Sequence, residues 1–286
     1  MKKLKEIAAK TWVIGAGALL ILGSSSAMAF ALDPNVPESS SAYVVATNTQ
    51  ETTNNFSLET GVTAEYSVID LSKGSPERDK LIRDKLSLTE DITPEQIEEK
   101  FKDIISNSIP GAKDISAEQA AAYAADILKT AYNVDFTSYT AHASFSKNPM
   151  PNSDNWTVIF HAPNEDNTTQ RYIASVDSVN GSMLDASSFN LSYLVDNSKN
   201  PEDPEWKNKA EEDIARLMPE EVSITSSKVI YATPETGVMV VSELSDGSAC
   251  AVRLTGENKE AATYIFFPNG YDGSLDLKPI TENAVG

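Results

Sequence analysis

The chain has 286 residues, 41% of them hydrophobic, with 23 Lys and Arg against 42 Asp and Glu, a formal charge of −19. That is enough apolar material for one large or two small domains, and acid spread along the whole chain repels phosphate backbones, which argues against nucleic acid as a partner. The single cysteine, Cys250, excludes an internal disulfide, so the fold must rest on packing.

Residues 1–29 read as an export signal. "MKKLKEIAAK" carries four lysines and one glutamate, Thr11 to Leu22 is a short apolar core, and Ala27-Met28-Ala29 is a small-x-small site of the kind signal peptidase cuts. The alternative is an uncleaved membrane anchor, because residues 11–32 run 22 residues without a charge. Export together with the lack of a disulfide favours a bacterial envelope or secreted protein, so the expected location is extracytoplasmic. A membrane is a partner only if the segment stays attached.

Residues 30–55, rich in Pro, Ser, Thr and Asn, read as a spacer with one short strand at 43–46. Residues 56–111 form an N-terminal segment of strand and helix. Its interleaved "FSLETGVTAEYSVIDLS" suits a strand or two. A helix is expected from Ser75 with Pro76 in its first turn. A second starts at Thr93, with Pro94 first and Gln96 at the capping-box position, and its Ile97, Phe101, Ile104 and Ile105 recur at helical spacing.

Residues 112–192 form the next unit. Ser116 is the expected N-cap with Gln119 three residues on. Ala117, Ala120, Ala121, Ala124, Leu128 and Ala131 fall on one stripe, a small-faced surface that lets the helix backbone approach whatever lies beneath. Three alternating strands follow, around Phe136–Phe145, Trp156–Phe160 and Tyr172–Val176, and Asn180-Gly181 marks a tight turn in which both residues tolerate positive φ. Residues 200–278 repeat the pattern: a helix with Trp206, Ala210, Ile214 and Leu217 on one stripe, then "SITSSKVIYA", "GVMVVSEL", "SACAVRL" and "ATYIFF", with "SDGS" as a hairpin turn. Helix then meander, twice, suggests duplication. The fold class is α+β, a helix on an antiparallel meander sheet in two tandem units, rather than a doubly wound sheet.

The first unit resembles the PepSY domain, a family of peptidase propeptides and spore-former envelope proteins whose helix opens I-S-x-E-x-A and whose meander closes Y-x-V-x-V-D-x-x-T-G-x-V/L. Ile115, Ser116, Glu118 and Ala120 match the opening, and Tyr172, Val176, Asp177, Gly181 and Leu184 match the close. Ala174 stands where Val is usual and Asn180 where Thr is usual. The resemblance covers about residues 112–190, and the second unit lacks the signature. It implies binding to, or restraint of, an extracytoplasmic peptidase or envelope protein, and it carries over no catalytic residue.

Chemistry is sparse. His142 and His161 fall on neighbouring strands, both opposite the aromatic face; a hairpin register with numbers summing to 303 would set them side by side, as a metal or pH-sensitive pair, while a slip of one would not. The simpler reading is two polar-face histidines. Cys250 alternates in phase with Val252 and Leu254 and reads as core. The acidic loops "NEDN" (164–167) and "YDGSLD" (271–276) read as solvated; they could hold calcium, but neither has the ordered calcium-loop motif. Asn55, Asn155, Asn167 and Asn190 lie in N-x-Ser/Thr sequons of a kind that such a composition yields by chance. Metalloprotease, nucleophile-elbow and phosphate-loop motifs do not occur. The expectation is a non-enzymatic exported protein without cofactor, metal or catalytic residues that binds or regulates a protein partner. The alternative is a membrane-anchored extracytoplasmic sensor domain of a bacterial signalling system.

Overall fold

Local signals place the helices. In the computed structural model, which describes residues 66–88, 92–148, 153–166, 168–189 and 198–276, α1 (Pro76–Ser87) starts under the Ser75 hydroxyl, which accepts from the Arg78 amide. The N-termini of α2 (Pro94–Asn107) and α3 (Ala117–Tyr132) are closed by reciprocal capping boxes, Thr93 with Gln96 and Ser116 with Gln119. A fourth helix, α4, spans Glu205–Leu217. Residues 1–65, which hold the expected signal and spacer strand, lie outside the described residues, as do Asn55, Asn167 and Asn190. Among the described residues no helix is long and apolar enough to cross a membrane.

The strands are β1 (Ser67–Asp70), β2 (Thr140–Ser146), β3 (Asn155–His161), β4 (Arg171–Asp177), β5 (Met183–Phe189), β6 (Ile224–Thr233), β7 (Gly237–Leu244), β8 (Ala249–Thr255) and β9 (Glu260–Phe267). They make one sheet in the order β1-β2-β3-β4-β5-β9-β8-β7-β6. Three expectations change. The first unit has four strands after its helix, not three, because "MLDASSF" pairs as β5. The sheet is not purely an antiparallel meander, since β1 lies parallel to β2. The two units are not separate bodies, since β5 pairs with β9 and the sheet runs on through both.

The turn into β5 differs in detail as well. Only Gly181 has positive φ, at +71°, and the Asp177 carboxylate accepts from the Val179 and Asn180 amides in place of a two-residue turn. A Cβ on Gly181 would stand 2.3 Å from a ring carbon of Tyr123, so the turn also seats α3.

α3 and α4 pack on one face of the sheet and leave the other free of them. α3 covers β1 to β5 and α4 covers β6 to β8. Every alanine of the expected stripe is buried, with Ala120, Ala121 and Ala124 wholly so, against Ala141, Ala143, Val158, Ala174 and Val176 of the sheet. Small residues on both sides bring backbone close to backbone. The stripe of α4, Trp206, Ala210, Ile214 and Leu217, joins the same continuous core. Cys250 belongs there too, fully buried, and burial pushes its thiol up to about 12.

The seam between the units is three residue pairs long: Asp185 with Ile265, Ala186 with Tyr264, Ser187 with Thr263. The Tyr132 hydroxyl, at the end of α3, sits over it, 3.1 Å from the Ala186 carbonyl and 3.2 Å from that of Ala262. Its one proton serves β5 or β9. Arg216 of α4 donates to the Ala131 carbonyl at 3.0 Å, tying the two helices together at the same place.

Replacing Ala124 by Leu forces a longer side chain into a contact that has no room for it. The substitution is expected to lower stability by about 1–3 kcal/mol, read by chemical denaturation. A change within about 0.5 kcal/mol, the size ordinary for surface sites, would mean that α3 does not sit on the sheet through this stripe.

Candidate functional site

The face of the sheet away from the helices divides in two. On the β6–β9 half it is apolar: Met239, Val241, Ala249 and Ala251 are buried, with Tyr271 and Leu275 of the segment after β9 packed against them. On the β2–β5 half it is polar, although strand alternation fixes only which residues point there and not their chemistry. Thr140, His142, Ser144 and Ser146 of β2 point there, then Asn155, Thr157, Ile159 and His161 of β3, Arg171, Ile173 and Ser175 of β4, and Asp185 of β5.

The two histidines meet, but not by the register that would set them directly opposite. Thr140 pairs with His161 and His142 with Ile159. That register is shifted by two residues, which keeps both rings on one face and makes them diagonal neighbours. Their ring centroids are 4.5 Å apart. His161 is held from its other side: its Nδ1 is 2.9 Å from Glu165 Oε1, and the same oxygen is 2.8 Å from an Arg171 Nη2. The order His142–His161–Glu165–Arg171 thus links β2, β3, the segment after β3 and the start of β4.

Glu165 overturns a sequence reading. In "NEDN" it was expected to be solvated or to help hold a cation, yet its side chain is 7% exposed and spent on His161 and Arg171. Asn164 with φ +57° turns the chain so that Glu165 points inward, while Asp166 stays outside and caps the amides of Thr168 and Thr169. Arg171, the reason for the inward turn, is the signal that was missed. An arginine opening a strand in phase with a polar face, just after an acidic loop, calls for a carboxylate. Its side chain is only 2% exposed.

The group is only part-satisfied. Arg171 Nε and Nη1, Glu165 Oε2 and His161 Nε2 are buried and bond to no protein group, which is uncommon for buried polar atoms and marks a polar network of functional interest. Burial, and after it the neighbouring His161, lowers His142 to about 4, with the Glu165 charge pulling the other way. His142 is therefore neutral at pH 7.

A second polar row lies two residues further along the strands, beyond the buried Ile159–Ile173 pair. Asp185 accepts from Ser175, and the Ser175 and Thr157 hydroxyls are 3.3 Å apart. Burial raises the Asp185 carboxyl to about 6, against the pull of the Ser175 hydrogen bonds. Asn155, one of the sequon residues, is buried at the far end of this row.

Among the described residues no group of three or more His, Cys, Asp or Glu side chains is arranged to hold a metal ion. A surface hollow of about 580 Å³, bordered by Gly74, Asp79 and Arg83, belongs to α1 and not to this face. His161 has the carboxylate partner of a general base, but the nearby hydroxyls are engaged: Ser144 donates to the Thr157 carbonyl and Thr140 accepts from Ser67. No family model matches the chain, and neither the curated proteins nor the solved structures compared with it give a match.

Asp185 supplies a pH test. Its carboxyl is raised in the folded state, so its contribution to stability is present below the ordinary carboxylate range and is lost as pH rises through about 6. Asp185→Asn should therefore be more stable than the native chain at pH 8, by up to about 3 kcal/mol, and gain nothing at pH 4. A variant less stable than the native chain at pH 8 would show that the ionised carboxylate is held favourably.

Proposed function

We propose that the chain is an exported, non-enzymatic binding or regulatory protein built on two PepSY-like units, acting on an extracytoplasmic peptidase or another envelope protein. The observation that carries this reading is what the residues of the resemblance do. Ile115 receives the Trp156 indole N–H on its carbonyl and donates its amide to Ser178. Ser116 caps α3, Ala120 is wholly buried under it, and Val176 is core. Tyr172 packs on Phe136 and Tyr132, Asp177 caps the turn, and Gly181 makes room for Tyr123. Such residues specify a scaffold and leave its surfaces free to differ, as expected of a domain whose family binds and restrains rather than reacts.

The second unit supports a duplication by shape. Each unit is one helix followed by four antiparallel strands, and the last strands of the two, β5 and β9, meet at the centre of the sheet. An acidic chain of formal charge −19 favours a neutral or basic protein partner.

Purified protein is expected to show no turnover on casein, peptidoglycan or chromogenic esters, and to recover a specific peptidase or envelope protein when used as bait. The native protein is expected to begin at Phe30 by mass spectrometry; an intact N-terminus would favour the membrane-anchored sensor. Turnover that follows the protein through purification, and is lost on replacing His161 or Glu165, would overturn the binding reading.

A further inference from the structure

We propose that His142, His161, Glu165 and Arg171 form a proton-released clasp, holding residues 162–166 against the helix-free face of the sheet at neutral pH and letting them go in acid. Glu165 is the only residue of that segment whose side chain reaches back to both β3 and β4, through His161 Nδ1 at 2.9 Å and Arg171 at 2.8 Å. The other charged residue of the segment, Asp166, is engaged with Thr168 and Thr169 of its own turn. What keeps the segment down is therefore one carboxylate shared by two partners.

The charge balance of the clasp depends on His142. With His142 neutral, the Glu165 carboxylate is left to His161 and Arg171, which share one of its oxygens. Beside His142 lie Ile69 of β1, its register partner, His161 of β3, Glu165 of the segment and, behind Glu165, Arg171 of β4. Only Glu165 among them is an anion, and it is already bonded to His161 and Arg171. A proton on His142 adds a cation with no unshared counter-charge within a half-buried group. Opening of 162–166 admits water to His142 and relieves it.

The linkage has a definite sign. His142 is lowered to about 4 when the clasp is shut, against about 6.5 for a free imidazole. The shut state is therefore fully favoured above about 6.5 and loses ground as pH falls towards 4. Uptake of up to one proton on opening means a change in the opening equilibrium that approaches tenfold per pH unit in the middle of that window. The functional consequence is a binding surface around β2–β4 that differs between neutral and acidic surroundings, as befits a histidine-based sensor.

The test is amide hydrogen exchange on the full chain, corrected for intrinsic rates, between pH 6.5 and 5. Peptides covering 161–166 should open about 15-fold more at pH 5 than at pH 6.5, with β8 (Ala249–Thr255) unchanged. In His142→Gln, which cannot take up the proton, this rise should vanish. A titration of the His142 ring by NMR in the unsubstituted protein gives the same answer without a variant: a midpoint near 4 supports the clasp, and an ordinary imidazole midpoint overturns it. The proposal also fails if exchange in 161–166 is flat with pH, if the rise persists in His142→Gln, or if β8 opens to the same extent, which would mean global acid unfolding.

Discussion

Three residue pairs between β5 and β9, with the Tyr132 hydroxyl laid across them, turn a five-strand and a four-strand sheet into one. Without that seam each unit would present an open edge, β5 in one and β9 in the other, with unpaired backbone donors and acceptors. With it, those two edges satisfy each other, and the remaining outer edges are managed differently. β1 is four residues long, while β6 carries Lys228 and two breaks in register. The position of the seam also sets the helix layer. Arg216 can reach the Ala131 carbonyl only because the ends of α3 and α4 meet above the joined strands.

The alanine face of α3 is the second constraint. A helix seated through alanines lies lower on the sheet than one seated through leucines, and the strands beneath answer with Ala141, Ala143 and Ala174. This close approach is what allows Tyr123 to reach the Gly181 turn and Trp156 to reach the Ile115 carbonyl. The large residues sit at the ends of the contact: Phe136 stacks on Phe160 at one end, and Phe145 meets Trp156 edge-on at the other. With the apolar demand met on this face, the β2–β5 half of the opposite face is free to carry histidine, arginine and carboxylates.

What the sequence made legible follows the range of the interaction that decides it. Ser75, Thr93 and Ser116 announce helix starts because a cap reaches only three residues along the chain. Cys250, Val252 and Leu254 announce their face because alternation is local. β5 was missed because "MLDASSF" has little strand propensity of its own and is held by neighbours on both sides, β4 and β9, the latter some 80 residues away. The histidine pair was placed on the right face with its register left open, since periodicity fixes a face and a register needs the turn geometry as well. Glu165 was out of reach because its inward turn depends on Arg171, and a chain rich in surface acid gives no local sign of which carboxylate is buried.

The joined sheet is also what lets one body carry both the buried polar cluster and the apolar half of the helix-free face. Native-state hydrogen exchange in rising urea tests that continuity most directly, reading β3 (Asn155–His161) in the first unit and β8 (Ala249–Thr255) in the second. If the seam makes one cooperative structure, the slowest amides of both strands should merge into a single unfolding isotherm with the same free energy and the same urea dependence. Two isotherms, with one unit exchanging through its own unfolding while the other stays protected, would contradict the account.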